Sequence, residues 1–207
     1  MAKPVLYGAD YSVYVRIARM TLEEKGVGYE LVPVDIFAPE GIPAWYLEHH
    51  PFGRIPAFEH DGFRLFETNA ITHYVDEAFE GPVLQPIDAR GRARKTQIAG
   101  MLDAYGYRAM VWDVAVERLE KTTPDEDLIA AGLRQAETVL KVLTSLKANG
   151  PWLLGDRLTL VDLHAAPIIA YFVKVTEGRD LLERFSDIQD WYSRVTERPS
   201  FARTEKA

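Results

Sequence analysis

The character of the chain changes once, near residue 81, and that change governs what it can fold into. Before it, strand-like and helix-like segments alternate; after it, every periodic segment is helical. The sharpest local signal lies in the first part. Ala57–His60 and Phe63–Phe66 are short apolar-alternating runs separated by Asp61-Gly62. A two-residue Asp-Gly connector between such runs predicts a β-hairpin, because both residues tolerate positive φ. Ahead of it, Pro4–Gly8 reads as a buried strand, Ser12 to Lys25 as a helix capped by Ser12 and closed by Gly26, and Tyr29–Asp35 as a second strand. Pro33 cannot donate to a ladder, which puts that strand at a sheet edge. Residues 36–50, broken by Pro39, Gly41 and Pro43, form an irregular crossover. Thr68–Phe79 is a helix stopped by Gly81-Pro82. The order β-α-β, crossover, β-β-α predicts a mixed four-stranded sheet with helices packed on it.

The domains that follow are an α/β unit over 1–80, a linker over 81–87 (GPVLQPI) and an all-helical unit over 88–207. Ala89–Leu119 is long enough for one extended helix. Thr123-Pro124-Asp125-Glu126 predicts a capping box with Thr123 as the cap, and Thr159 with Asp162 predicts another, stapled by Leu158 against Leu163. Pro167 is expected to bend its helix, and Leu181–Glu197 to form the last one.

Bulk composition excludes several functions. A net charge of −7 argues against a nucleic-acid partner, which needs a basic face. No apolar run reaches the roughly 18 residues of a membrane span, and Met1–Tyr7 lacks a signal-peptide apolar region. The expected compartment is therefore the cytoplasm, without a membrane partner. With no cysteine, the protein has neither disulfides nor a thiol nucleophile of its own. His49-His50 have no companions at metal-ligand spacing, so no metal is expected.

Three segments of the first unit can carry chemistry. Ser12 stands at a strand-to-helix turn, where a hydroxyl beside unpaired N–H groups can donate to a bound thiolate and lower the thiol's pKa; the same residue also serves as a plain N-cap. Pro56 precedes a strand, where a cis bond would leave the Ile55 backbone to pair with an extended peptide; a trans proline at a strand start is the ordinary alternative. Glu67-Thr68 opens a helix and combines a carboxylate with a hydroxyl, suited to a zwitterionic head group or simply to capping.

Taken in order, these motifs resemble the glutathione transferase superfamily, most closely its serine-type phi and theta classes. PFGRIPAF, DG and LFETNAITHYV are similar to the family run Asn-Pro-Phe-Gly-x-Val/Ile-Pro-Ala-Phe … Leu-Phe-Glu-Ser-x-Ala-Ile. GDRLTLVDLHAAP resembles the family's Thr-x-x-Asp capping segment, and YSVYVRIARMTLEEKGVGYELVPVD its first helix and second strand. The resemblance implies a thioredoxin-like N-terminal domain followed by an all-helical domain that contributes an electrophile pocket. It also implies glutathione as co-substrate, a small hydrophobic electrophile as partner, and a homodimer. Ser12 would stabilise the thiolate, Ile55 before a cis Pro56 would pair with the cysteinyl part, and Glu67 with Thr68 would hold the γ-glutamyl group. Phi members carry His and Lys in the crossover near the glycyl end, where this chain has Glu40-Gly41-Ile42-Pro43. Glycyl recognition would fall to Arg54 or His50.

Tyr11, Tyr105, Tyr107 and Met110 are candidates for lining the electrophile pocket, with core packing as the competing account. Tyr7 occupies the position of the catalytic hydroxyl in tyrosine-type classes, without the Arg-Gly motif that follows it there. Phe52 resembles an aromatic key that enters a partner subunit, and Asp103 could reach a γ-glutamyl ammonium across such an interface. The implied activity is conjugation of glutathione to an electrophile. Glutathione-dependent peroxide reduction and non-catalytic ligand carriage or assembly on the same fold stand as alternatives.

Overall fold

The computed structural model describes residues 3–205. The chain divides into two units, one formed by residues up to Val83 with the segment from Pro199, the other by Leu84–Arg198.

In the first unit, strands β1 (Val5–Gly8), β2 (Glu30–Pro33), β3 (Ala57–His60) and β4 (Phe63–Phe66) lie in the order β2-β1-β3-β4. β1 and β2 are parallel; β3 runs antiparallel to both β1 and β4. Asp61 and Gly62 adopt φ of 50° and 79°, the left-handed pair that a two-residue hairpin demands. β2 is an edge strand ending on Pro33, where the missing N–H costs no ladder bond. Helices α1 (Val13–Glu24) and α2 (Thr68–Ala78) cover the sheet. Val15, Ala18 and Leu22 of α1, and Ile71 and Val75 of α2, join Leu6, Ala57 and Phe58 in one core. Each large apolar side chain enclosed there stabilises the unit by about 1.5–3 kcal/mol. Buried Lys25, at the end of α1, donates to the Asp76 carboxylate at 3.3 Å and carbonyl at 2.9 Å, and to the Pro82 carbonyl at 3.0 Å.

The second unit opens with a helical run whose geometry changes along its length. It is α-helical over α3 (Ala89–Met101), widens to π-type i→i−5 bonding over Leu102–Gly106 and Arg108–Val116, and tightens again at α4 (Glu117–Glu120). Then follow α5 (Glu126–Leu146), α6 (Leu160–Phe172), α7 (Thr176–Glu183) and α8 (Ser186–Thr196). The cap of α5 is Asp125 rather than Thr123: its carboxylate accepts from the N–H groups of Asp127 and Leu128, both at 3.0 Å. A carboxylate takes two orphan donors better than a hydroxyl two residues too early. α6 is enclosed along nearly its whole length and continues through Pro167. The expected last helix over 181–197 is two helices broken at Arg184-Phe185.

Helix α9 (Pro199–Arg203) groups with the first unit. Contacts to α1, distant in sequence, hold it there. Among the described residues, no helix is long and apolar enough to cross a membrane.

Candidate active site

The sheet register brings the three chemical segments to one edge. Tyr7 pairs with Ala57, and Ala57 pairs with Phe66. The chain leaves β1 just after Tyr7 towards Ser12, enters β3 at Ala57 from Ile55-Pro56, and leaves β4 at Phe66 towards Glu67-Thr68. Segments up to 55 residues apart, from Ser12 to Glu67, therefore open on the same side of the sheet. Gly8 permits a close approach at the end of β1. A Cβ there would lie 2.4 Å from Val15 Cγ2, so only hydrogen lets the end of β1 sit this close to the first turn of α1.

Ser12 is the N-cap of α1, with extended backbone, and its Oγ accepts from the Val15 N–H at 3.3 Å. A hydroxyl that accepts its capping bond keeps its own proton to donate. The positive end of the helix points the same way. Ser12 is half-buried, which leaves the donor reachable.

The Ile55–Pro56 bond is cis. The ladder ends at the Tyr7–Ala57 pair, so the Ile55 peptide lies just outside the sheet's own hydrogen bonding. The crossover supports this loop from beneath: buried Tyr46, on the short helical turn Ala44–Glu48, donates its hydroxyl to the Arg54 carbonyl at 2.6 Å. Burial pushes the Tyr46 phenol far above its usual pKa, which keeps it a donor.

Glu67 precedes α2 with φ 70° and ψ 114°, a conformation non-glycine residues avoid, and forms no side-chain cap bond. Such strain costs about 1–3 kcal/mol and concentrates where a side chain must be aimed. Its carboxylate is exposed, while Thr68 beside it is buried.

His50, Arg54 and Glu67 form one electrostatic neighbourhood. The His50 ring is 3% exposed and packs on Phe66 at 4.9 Å, and its Nδ1 has no hydrogen-bond partner among the described residues. Burial lowers the imidazole pKa; Glu67 opposes that shift and Arg54 adds to it. Arg54 itself is exposed. Phe52 is 73% exposed, with its ring 6.0 Å from Phe66, so it fills no core of its own chain.

The tyrosines divide by partner. Tyr7 sits in an aromatic cluster with Trp45, Tyr46 and His49, its ring centroid 4.4 Å from that of His49. Burial raises its pKa, with Glu59 adding to the shift. Tyr11 donates to Asp35 at 2.8 Å and stacks towards Phe37; burial and that carboxylate push its pKa up to about 12.

In the helical unit, Tyr105 is exposed on the widened stretch Leu102–Gly106, and Tyr107, half-buried, lies between the two widened stretches. Met110 is wholly enclosed. Asp103 pairs with His164 of its own unit, at 2.7 Å. Two features escaped the sequence reading. Tyr46 lies in a stretch without periodicity, and its role depends on a carbonyl eight residues away. The π-type winding changes no composition and leaves no periodic trace.

This architecture is a thioredoxin-like sheet unit joined to a helical unit, with a helix-capping hydroxyl and a cis-proline loop at one sheet edge. The glutathione S-transferase N-terminal domain family matches residues 6–83, and the glutathione S-transferase C-terminal domain family residues 104–199. Glutathione S-transferase F13 of Arabidopsis thaliana is 29% identical over 202 residues, covering 95% of this chain and 92% of its own length. The crystal structure of glutathione transferase F7 from Populus trichocarpa has a TM-score of 0.85 and 29% identity, with 97% of each chain covered. A glutathione S-transferase from Methylobacterium radiotolerans, solved with glutathione sulfonate, has a TM-score of 0.80 and 25% identity, covering 100% of this chain and 96% of that one. The chain belongs to the glutathione transferase superfamily and is phi-like within it.

Proposed function

We propose that this glutathione transferase activates the glutathione thiol with Ser12 and directs the thiolate at small hydrophobic electrophiles. The reading is carried by the sheet register that gathers Ser12, Ile55-Pro56 and Glu67-Thr68 at one edge. A free thiol titrates near pKa ~8.5, and lowering that by about two units makes most of it thiolate at neutral pH. Two units correspond to roughly 2.7 kcal/mol, within reach of one hydrogen bond to a charged sulfur plus a helix terminus. The thiolate then attacks the electrophilic carbon: a C–S bond forms, and the leaving group departs with the bonding electron pair.

The remaining roles follow the chemistry of each segment. The Ile55 backbone pairs with the cysteinyl unit as an added strand would. Glu67 takes the γ-glutamyl ammonium, and Thr68 with the α2 N–H groups takes its carboxylate. Arg54, exposed and beside His50, is the cation available to the glycyl carboxylate. Phe52, with 73% of its surface exposed, is suited to burial against a second copy in a homodimer. Cytoplasmic detoxification is the setting this chemistry fits.

Ultraviolet titration of the enzyme-bound thiolate tests the proposal. The expected result is a thiol pKa well below that of free glutathione in wild type, returning towards it in Ser12→Ala. A wild-type pKa equal to that of free glutathione would remove the reading; an equal depression in the variant would move the donor role to Tyr11 or Tyr7.

A further inference from the structure

We propose that Arg16 is a positioning residue for Ser12, and that the C-terminal segment from Pro199 to Thr204 is the clamp that holds Arg16. The inference rests on the thiolate role given to Ser12 above and extends it to residues with no contact to the thiol.

Upstream of α1, Ser12 follows a turn anchored by the Tyr11 hydroxyl on Asp35 at 2.8 Å. The turn Ala9-Asp10-Tyr11 contributes one backbone bond, Ser12 N–H to the Ala9 carbonyl at 3.1 Å. Downstream, the Ser12 carbonyl accepts from the Arg16 N–H at 2.9 Å, which couples the first turn of the helix to Arg16. The Arg16 side chain is 9% exposed. Its guanidinium lies 4.1 Å from the centroid of the Phe201 ring, donates to the Phe201 carbonyl at 3.0 Å and reaches Thr204 Oγ1 at 3.5 Å.

Arg19, one turn on, repeats the arrangement. It donates to the carbonyls of Thr204 and Arg203 at 3.4 and 3.3 Å, and to the Tyr29 hydroxyl at 3.0 Å. Ser200 donates to Glu24 at 2.5 Å, and Arg203 pairs with Glu23 at 3.3 Å.

The physical logic is reciprocal. The five-residue α9 is too short to persist unaided, and its last carbonyls lack helical partners. Two guanidiniums supply those partners at the negative end of the helix dipole. In return, a planar fork stacked on an aromatic ring has almost no rotational freedom. Hydrogen bonds weaken steeply with misalignment, and catalytic donors lose effect over displacements of about 1 Å. A clamp on Arg16 therefore sets the aim of the Ser12 hydroxyl four residues away.

The test uses the full-length chain with Arg16→Gln, Arg16→Lys and Phe201→Leu, titrating the bound glutathione thiolate and recording kcat/KM against pH. In Arg16→Gln the bound thiol's pKa is expected to rise, leaving about three- to tenfold less thiolate at neutral pH, while KM for glutathione moves less than about twofold. Arg16→Lys restores part of the shift, because an ammonium still reaches the carbonyls but loses the stacked fork. Phe201→Leu gives a smaller shift in the same direction and decides the matter by itself if Arg16→Gln does not fold. Variants that melt earlier while keeping the wild-type thiol pKa and pH profile overturn the proposal. A wild type whose bound thiol titrates like free glutathione overturns both this proposal and the Ser12 reading.

Discussion

The starts of α6 and α2 each carry an acid and use it in opposite ways. At the start of α6, Asp162 is fully enclosed and accepts four bonds, from Leu153 N, Thr159 N, Thr159 Oγ1 and Trp191 Nε1, at 2.7–2.8 Å. Burial pushes its pKa up and the four donors oppose it. At the start of α2, Glu67 is exposed, strained at φ 70° and makes no capping bond. The first acid spends all its bonding capacity on its own fold; the second keeps its capacity outward. Ser12 lies between them: it accepts from Val15 and still has a proton to give. Satisfied polar groups mark where the fold is held, and unsatisfied or strained ones mark where a ligand completes the bonding.

The largest effect should come from the satisfied end of this contrast. Asp162→Ala strands buried donors on three elements and should lose about 3 kcal/mol or more in urea denaturation, with Asp162→Asn losing less because its carbonyl still accepts. The fraction that remains folded should keep the wild-type thiol pKa. A loss under about 1 kcal/mol would break the comparison.

Next in size is Ser12→Ala. It should cost about 10- to 100-fold in kcat/KM but only about 1 kcal/mol of stability, the usual worth of an N-cap. A large stability loss with unchanged turnover would make Ser12 a cap and nothing more. Glu67→Gly should then separate strain from binding. Glycine accepts the positive φ freely, so stability should hold or rise by up to about 1 kcal/mol, while glutathione binds about tenfold more weakly by calorimetry. If binding is unchanged, the strain at Glu67 serves something other than the γ-glutamyl group.

The same contrast explains what the sequence could show. Asp61-Gly62 and the Ser12 cap were legible because each is decided within a few residues. Asp162 was legible for the same reason: its first partner is three residues away. The shift of the α5 cap from Thr123 to Asp125 turned on which of two neighbouring acceptors wins, a difference too small for a pattern to decide. The placement of α9 was hidden because Arg16 finds Phe201 across 185 residues. At the site, the residue types were legible and their convergence was not. Ser12, Ile55 and Glu67 share an edge only because Tyr7, Ala57 and Phe66 are in register. Tyr46, which shapes that edge through the Arg54 carbonyl, sits in a stretch with no periodicity to read.

The smallest effect tests whether the exposed side of the contrast also responds to acid. His50 lies beside Glu67, is buried, and its imidazole pKa is lowered chiefly by that burial. A base that is harder to protonate when folded leaves the unfolded chain binding more protons in the acid range, so stability rises with pH there. The contribution is complete above the unfolded histidine value of about 6.5 and is lost as pH falls through the lower folded value. His50→Gln removes the titration, so melting temperature should decline less between pH 7.5 and pH 5 in the variant than in wild type. Protonation would also set a cation beside the place where Glu67 meets the γ-glutamyl ammonium. Glutathione affinity should therefore weaken over the same pH interval in wild type and less so in His50→Gln. Parallel acid limbs in the two proteins would assign the lability to another group and leave His50 as packing for Phe66.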